Sequence, residues 1–196
     1  TSKRRGLSRV AWSMRLPPPR MPPAATAAFG VGPRLLPGTY TVKLTEGGQQ
    51  ITTPLRVVSD PRSGHTIEDR RAQFDLSMRL YGMLNDMTSV VERMNGLRGA
   101  LEGRAAQLTS PNDPLPIQLR RASGAVDELR KKIVATKEGG AITGEERLRE
   151  FLTELYGSVV NCEGRPSAGL NARTDAIARE MADVSDAFEK WLAEEL

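Results

Sequence analysis

Residues 170–191, LNARTDAIAREMADVSDAFEKW, carry the pattern that decides the fold. Leu170, Thr174, Ile177, Met181, Val184, Phe188 and Trp191 stand at alternating intervals of four and three. That spacing lines all seven along one stripe of an α-helix, the seam of a helix packed lengthwise on neighbours. The segments before it supply the neighbours. Asn161 to Pro166 is a loop, and upstream of it Thr143 and Glu146 form a T-x-x-E capping box that predicts a third helix through Val160. Gly139-Gly140 ends a second helix over roughly 115–136, with Leu119, Val126, Leu129 and Ile133 inward. The stretch TSPNDP at 109–114 is a loop. Thr66 caps a first helix that runs to about Leu108, with Phe74, Met78, Tyr81, Leu84, Val91, Met94, Leu97 and Leu101 among its apolar residues. Short loops make successive helices antiparallel, so an up-down bundle of about four helices follows.

Upstream of Thr66 the period changes to two. Tyr40, Val42 and Leu44 alternate with Thr39, Thr41, Lys43 and Thr45; after Gly47-Gly48 come Ile51, Thr53, Leu55 and Val57. With the glycines at the turn, Leu44 pairs with Ile51, Val42 with Thr53 and Tyr40 with Leu55, and all six share a face. Pro54 places its strand at a sheet edge or a bulge. Residues 7–16 also alternate, with Ser8, Val10, Trp12, Met14 and Leu16 on one face, and predict a further half-buried strand that Pro17, Pro18 and Pro19 stop. Residues 17–37 have no periodicity and read as an extended loop able to run along a partner's surface. Three strands are too few for a closed sandwich, so the sheet is expected to be completed by absent upstream strands or by another polypeptide.

Charge divides the chain at the same place. Residues 1–65 hold 10 Lys/Arg against 2 Asp/Glu, a net of +8, and 9 of the 13 prolines; the remainder holds 18 against 22, a net of −4, and together they give the +4 of the whole chain. The composition, 39% hydrophobic and 27% charged, is that of a globular protein, and its low aromatic content predicts a core of Leu, Val, Met and Ala. No apolar run approaches the roughly 18 residues of a membrane-spanning helix. The sequence opens on Thr1 rather than methionine, which reads as a processed or partial chain whose upstream part would carry any targeting signal.

Catalytic and metal chemistry find few of the residues they need. His65 is the single histidine and lies in the linker before the first helix, so neither a two-histidine metal site nor a conventional triad is available, and a solvated linker residue is the plainer reading. Cys162 is the single cysteine; it excludes an internal disulfide, and with His65 its one conceivable base it reads as an unremarkable thiol. Glu145, Glu146, Glu150 and Glu154 suit one exposed helix face with Arg147 and Arg149 beside them better than a catalytic pair. Gly99 and Gly103 match G-x-x-x-G without an apolar span, which suggests close helix packing. No phosphate-binding loop, dinucleotide fingerprint or Cys/His cluster occurs. These readings predict no catalytic residue, no cofactor and no metal. The one suggestive patch is basic: Lys3, Arg4, Arg5, Arg9, Arg15 and Arg20, with Trp12 among them. Anionic lipid headgroups or an acidic protein surface suit it better than nucleic acid, because no aromatics for stacking on bases accompany the arginines apart from Trp12. The candidate partner-binding residues are Arg4, Arg5, Arg9, Trp12, Arg15 and Arg20.

An ordered series of segments also carries a family resemblance. GLSRVAWSMR at 6–15, GPRLLPGTYTVKL at 32–44, PLRVVSDPR at 54–62, QFDLSMRLY at 73–81 and GRPS at 164–167 resemble the C-terminal region of large bacterial BNR-repeat, sortilin-like β-propeller proteins. There an Ig-like β-sandwich segment precedes helices. This chain lacks the propeller, and Pro17 to Ala28 stand where a shorter link is expected. Pattern and resemblance together predict an α+β fold: a short, incomplete Ig-like antiparallel segment over residues 1–63, then an up-down bundle over 64–196. The resemblance implies an extracytoplasmic setting, periplasmic or secreted. The function expected is that of a non-catalytic interaction or structural accessory subunit, docked on a larger assembly that is membrane-bound, and photosynthetic, in the version drawn from the resemblance alone. Residues 1–37 are expected to order only on the partner that completes the sheet. The alternative is a C-terminal fragment of a propeller glycoside hydrolase or carbohydrate-binding protein whose activity lies upstream.

Overall fold

The computed structural model describes residues 6, 9–24, 30–108, 113–137 and 145–195. A two-stranded antiparallel sheet, β1 (Gly38–Glu46) and β2 (Gln49–Val57), is followed by four helices, α1 (Ile67–Gln107), α2 (Leu115–Ile133), α3 (Leu148–Val160) and α4 (Ala168–Glu195). The protein is α+β in the predicted order.

The hairpin register is the one the alternation demands: Leu44 opposite Ile51, Val42 opposite Thr53 and Tyr40 opposite Leu55. Gly47 and Gly48 both take positive φ, 53° and 85°, which closes a two-residue turn that matches the strand twist. Paired residues alternate between hydrogen-bonded and non-hydrogen-bonded sites from that turn, so Pro54, opposite Thr41, falls where no inward N–H is needed. The strand predicted over 7–16 does not form in the described part, residues 9–16. A single bridge joins Arg15 to Arg34, flanked by Leu16 N–H to the Pro33 carbonyl and Leu35 N–H to the Met14 carbonyl, both 2.9 Å. Met14 has φ 56°, a left-handed turn that breaks an extended run.

α1 starts as Thr66 predicts. The Thr66 hydroxyl accepts from Asp69 N–H and the Asp69 carboxylate accepts from Thr66 N–H, both at 3.1 Å. At 41 residues α1 is the spine of the bundle, and every other helix packs on it. Arg79 pairs with Asp175 and Arg93 with Glu189 at the same sequence offset, so α4 runs parallel to α1. Ser123 bonds Glu102 and Arg98 pairs with Asp127, so α2 runs antiparallel to α1. α3 is antiparallel to α4, as the Arg173–Glu154 pair near their shared loop requires. α2 and α3 therefore point the same way. The four helices are present, but the reversal between α2 and α3 is missing: α2 and α3 lie end to end along the length of α1, and α4 completes three rods. Helix α2 ends at Ile133, earlier than the sequence suggests, because Val134 takes extended backbone, and it and Ala135 are buried at the join. Thr143 lies outside the described residues. Helix α3 begins at Leu148, where the Arg147 N–H donates to Glu150 at 3.1 Å.

The core holds Leu80, Leu84, Met87, Val91 and Met94 of α1, Val126 of α2, Leu152 and Leu155 of α3, and Val184 and Phe188 of α4. Every member of the α4 seam is buried or half-buried. Gly99 and Gly103 correct the packing expectation: both are exposed, and a methyl group at either would meet nothing.

Candidate functional site

The proline-rich stretch is part of the bundle's own packing. Residues 15–24 and 30–35 form a strap across α1 and α3. Pro19, Pro22 and Pro33 are buried, and Met21 and Ala24 pack against the core. Polar ties fix the path. The Arg20 N–H donates to Asn85 Oδ1 at 2.9 Å, and its guanidinium pairs with Glu92. Arg149 of α3 is 4% exposed; it donates to the Pro22 carbonyl at 3.0 Å and pairs with Glu150 at 2.7 Å. The Tyr156 hydroxyl donates to the Val31 carbonyl at 2.5 Å, and burial pushes its pKa up to about 12, so the donor stays protonated. Gly32 passes so close to the strap's outgoing limb that a Cβ there would sit 1.7 Å from the Leu16 carbonyl oxygen. The sequence leads one to expect residues 1–37 to order on a partner; in the described part of the strap the contacts are with the bundle itself.

This divides the candidate basic patch. Arg4 and Arg5 lie outside the described residues. Arg9 is exposed. Trp12 stands edge-on to Tyr40 with ring centroids 6.4 Å apart. Arg15 turns inward, donating to the carbonyls of Gly32 at 2.8 Å and Val160 at 3.4 Å, and Arg20 is held by Glu92. Two of the named arginines therefore fasten the strap. Of the residues that hold the strap, Asn85, Glu92 and Tyr156 escaped the sequence reading, and Arg149, read there beside an exposed glutamate face, is instead buried beneath the strap. The one available signal was Arg149 beside Leu148 and Leu152 on the core side of a short helix.

The hairpin is the opposite case. Neither strand packs on any helix. Val42, Leu44 and Ile51 are 45%, 59% and 65% exposed, and Val10, Trp12 and Met14 stand uncovered nearby in the chain that leads to the strap. Both outer edges of the sheet are unpaired among the described residues.

Where strap, hairpin base and bundle end meet there is an open cleft of about 390 Å³, lined by Arg15, Arg34, Arg70, His65, Ser13 and Ser63 among others. The His65 ring lies over Gly164, which has φ 98° and would place a Cβ 2.6 Å from the ring. Cys162 is exposed, and its carbonyl accepts from Gln73 at 2.9 Å. The glutamates of the third helix region do not converge: Glu145 meets Thr136 and Arg147, Glu150 meets Arg149, and Glu154 meets Arg173. Among the described residues no group of three or more His, Cys, Asp or Glu is placed to hold a metal ion, and no helix is long and apolar enough to cross a membrane.

No protein-family model, no curated protein and no solved structure matches the chain significantly. The resemblance to the sortilin-like propeller proteins rests on the quoted residues alone.

Proposed function

We propose that the protein is a non-catalytic interaction or structural accessory subunit, and that the β-hairpin is the surface it presents to a partner protein. The observation that carries this is the uncovered apolar row of Val42, Leu44 and Ile51 on a sheet with two unpaired edges. A two-stranded hairpin is marginal in water, and three or more strands or a covering surface stabilise it. The edges are unequal. Counting from the turn, Thr39, Thr41, Lys43 and Thr45 direct their backbone groups outward from β1, whereas β2 directs Gln50, Thr52, Pro54 and Arg56 outward. Pro54 has no N–H to give, so the outer edge of β2 is blunted and that of β1 is complete. The occupant proposed is an extended segment of a partner protein added to β1, with its apolar side chains continuing the Tyr40–Val42–Leu44 face. The extracytoplasmic setting and a membrane-bound host assembly follow from the family resemblance and belong to the same proposal.

Site-specific photo-crosslinking in the source cell tests it. A photoreactive residue at Val42 or Ile51 is expected to capture one defined partner protein, and one at exposed Glu180 of α4 is not. Thr41→Pro removes an outward donor of β1 at a site that makes no bond to β2, and should abolish the Val42 crosslink without unfolding the chain. Equal capture from α4, capture of a second copy of this chain, or indifference to Thr41→Pro would each sink the reading.

A further inference from the structure

The cleft at the junction of strap, hairpin base and bundle end is separate from the exposed hairpin face, and its charges do not balance. Arg34 and Glu163, both lining it, neutralise one another at 2.6 Å. Asp60, also on its wall, is closed by Arg62 at 2.8 Å. Arg15 and Arg70 remain. Arg15 spends one guanidinium nitrogen on two backbone carbonyls, and Arg70 spends one on the Gln73 amide oxygen at 2.7 Å; neither is paired with a described carboxylate. Both are half-buried. Burial and then the neighbouring Arg34, with Arg70 adding to it, lower the pKa of Arg15, so these guanidiniums repel one another across the site. Folding has brought cations from three elements, the strap, its returning limb and the first turns of α1, to one concavity and left two without a counter-charge among the described residues.

We infer that this cleft binds a phosphate monoester, with Arg15 and Arg70 taking the phosphoryl oxygens and the Ser13 and Ser63 hydroxyls on its wall. A phosphate monoester carries a charge of about −1.5 to −2 near neutral pH, which matches two unpaired guanidiniums. The guanidinium fork is the side chain best shaped for it, with two parallel N–H donors to two oxygens. The volume of about 390 Å³ lies within the range of small-ligand pockets. The cleft is open, so the phosphate can come from a soluble ester or from a lipid headgroup presented beside the exposed Met14 and Trp12.

Calorimetric titration of the full chain with inorganic phosphate, with glycerol phosphate, and with phosphatidylcholine vesicles containing or lacking phosphatidic acid tests the site. Saturable one-to-one binding of the soluble ester supports it and assigns a soluble ligand. Binding confined to the vesicles containing phosphatidic acid supports it and assigns a headgroup. In either case Arg70→Gln should weaken binding at least tenfold. Ser63→Glu supplies a carboxylate in place of the ligand; it should weaken binding similarly while raising the thermal midpoint of the unliganded protein, a result that loss of folding cannot imitate. Thr41→Pro in the hairpin should change none of this. No saturable binding in any arm, equal binding of acetate, or binding unchanged in both cleft variants overturns the inference.

Discussion

The hairpin and the strap contradict each other in an instructive way. The hairpin has the cleaner pattern: strict alternation, two glycines at the turn, a register legible to the residue, and yet its apolar face is in water. The strap has no period, is rich in proline and carries the charge of a docking arm, and yet its Pro19, Pro22 and Pro33 are buried and its Met21 and Ala24 pack against the core. Periodicity reports local geometry, because a period of two fixes which side chains share a face. It does not report whether anything lies against that face. Burial of an irregular segment is set instead by individual pairs far apart in the chain, here Arg149 with the Pro22 carbonyl, Tyr156 with the Val31 carbonyl and Asn85 with the Arg20 N–H. Each pair satisfies a backbone group that has no ladder or helix to bond it.

The largest effect sets the scale for that comparison. Phe188 is 1% exposed in the seam of α4, with the Arg93 guanidinium 5.4 Å from its ring centroid. Phe188→Ala is expected to destabilise the protein by about 3–5 kcal/mol in urea unfolding. Trp191→Ala should cost less, because Trp191 is only half-buried at the end of the same stripe. A loss below about 0.5 kcal/mol at Phe188, the size of a surface substitution, would detach α4 from the core and remove the floor on which the strap is judged.

Gly32→Ala addresses the strap itself. A Cβ 1.7 Å from the Leu16 carbonyl oxygen, with the Pro17 carbonyl oxygen at 2.6 Å, meets backbone that has no rotamer to change. One limb of the strap must move, at about 1–3 kcal/mol for overpacking of this kind. The sharper readout is local: amide exchange should quicken at Leu16 and Leu35, which bond across the two limbs, and stay slow in α1. If Leu16 and Leu35 exchange fast in the unsubstituted monomer too, the strap is not docked, and the expectation that it waits for a partner returns.

A smaller effect concerns the join between α2 and α3. Glu145 accepts from the Thr136 N–H at 3.0 Å and hydroxyl at 3.2 Å and pairs with Arg147, and these bonds lower its pKa from 4.5 to about 2, that to Thr136 N–H foremost. A lowered pKa means the folded state binds this proton less readily than the unfolded chain. Its contribution is therefore complete above about pH 4.5 and is lost as pH falls toward 2. The Glu145 carboxyl resonance should titrate near pH 2, and Glu145→Gln should flatten the acid limb of the stability curve. A midpoint at the ordinary carboxylate value would show that α2 and α3 are not tied there, and that the line of helices beneath the strap is looser than described.

How much was legible follows the same division. The seam of α4, the Thr66 cap and the hairpin register were readable because each depends on residues within a few positions of one another. The missing strand at 9–16 was misread because a correct alternation found no neighbour to pair with beyond the single Arg15–Arg34 bridge. The end-to-end placement of α2 and α3 was hidden because loop length alone does not say whether a chain turns back, and here α1 is long enough to take both helices in line. Within the basic patch, the sequence placed Arg15 and Arg20 with Arg9 by composition; only the fold separates those that fasten the strap from the one left on the surface.

The smallest expected change is the one that most separates the two regions. Leu44→Thr and Ile51→Thr replace opposed apolar residues by a β-branched polar one that keeps strand geometry. In a buried sheet, removing that much apolar surface from the core would cost several kcal/mol. Here both side chains are more than half exposed and no helix covers them, so the isolated protein should lose no more than about 0.5 kcal/mol. Natural chains rarely keep so many uncovered apolar residues together without a use for them. The double variant should therefore be near silent in unfolding and loud in the crosslinking assay, where capture through Val42 should disappear. If instead it destabilises the isolated chain by as much as Phe188→Ala does, the apolar face is already covered within this molecule, and the hairpin has no surface to offer a partner.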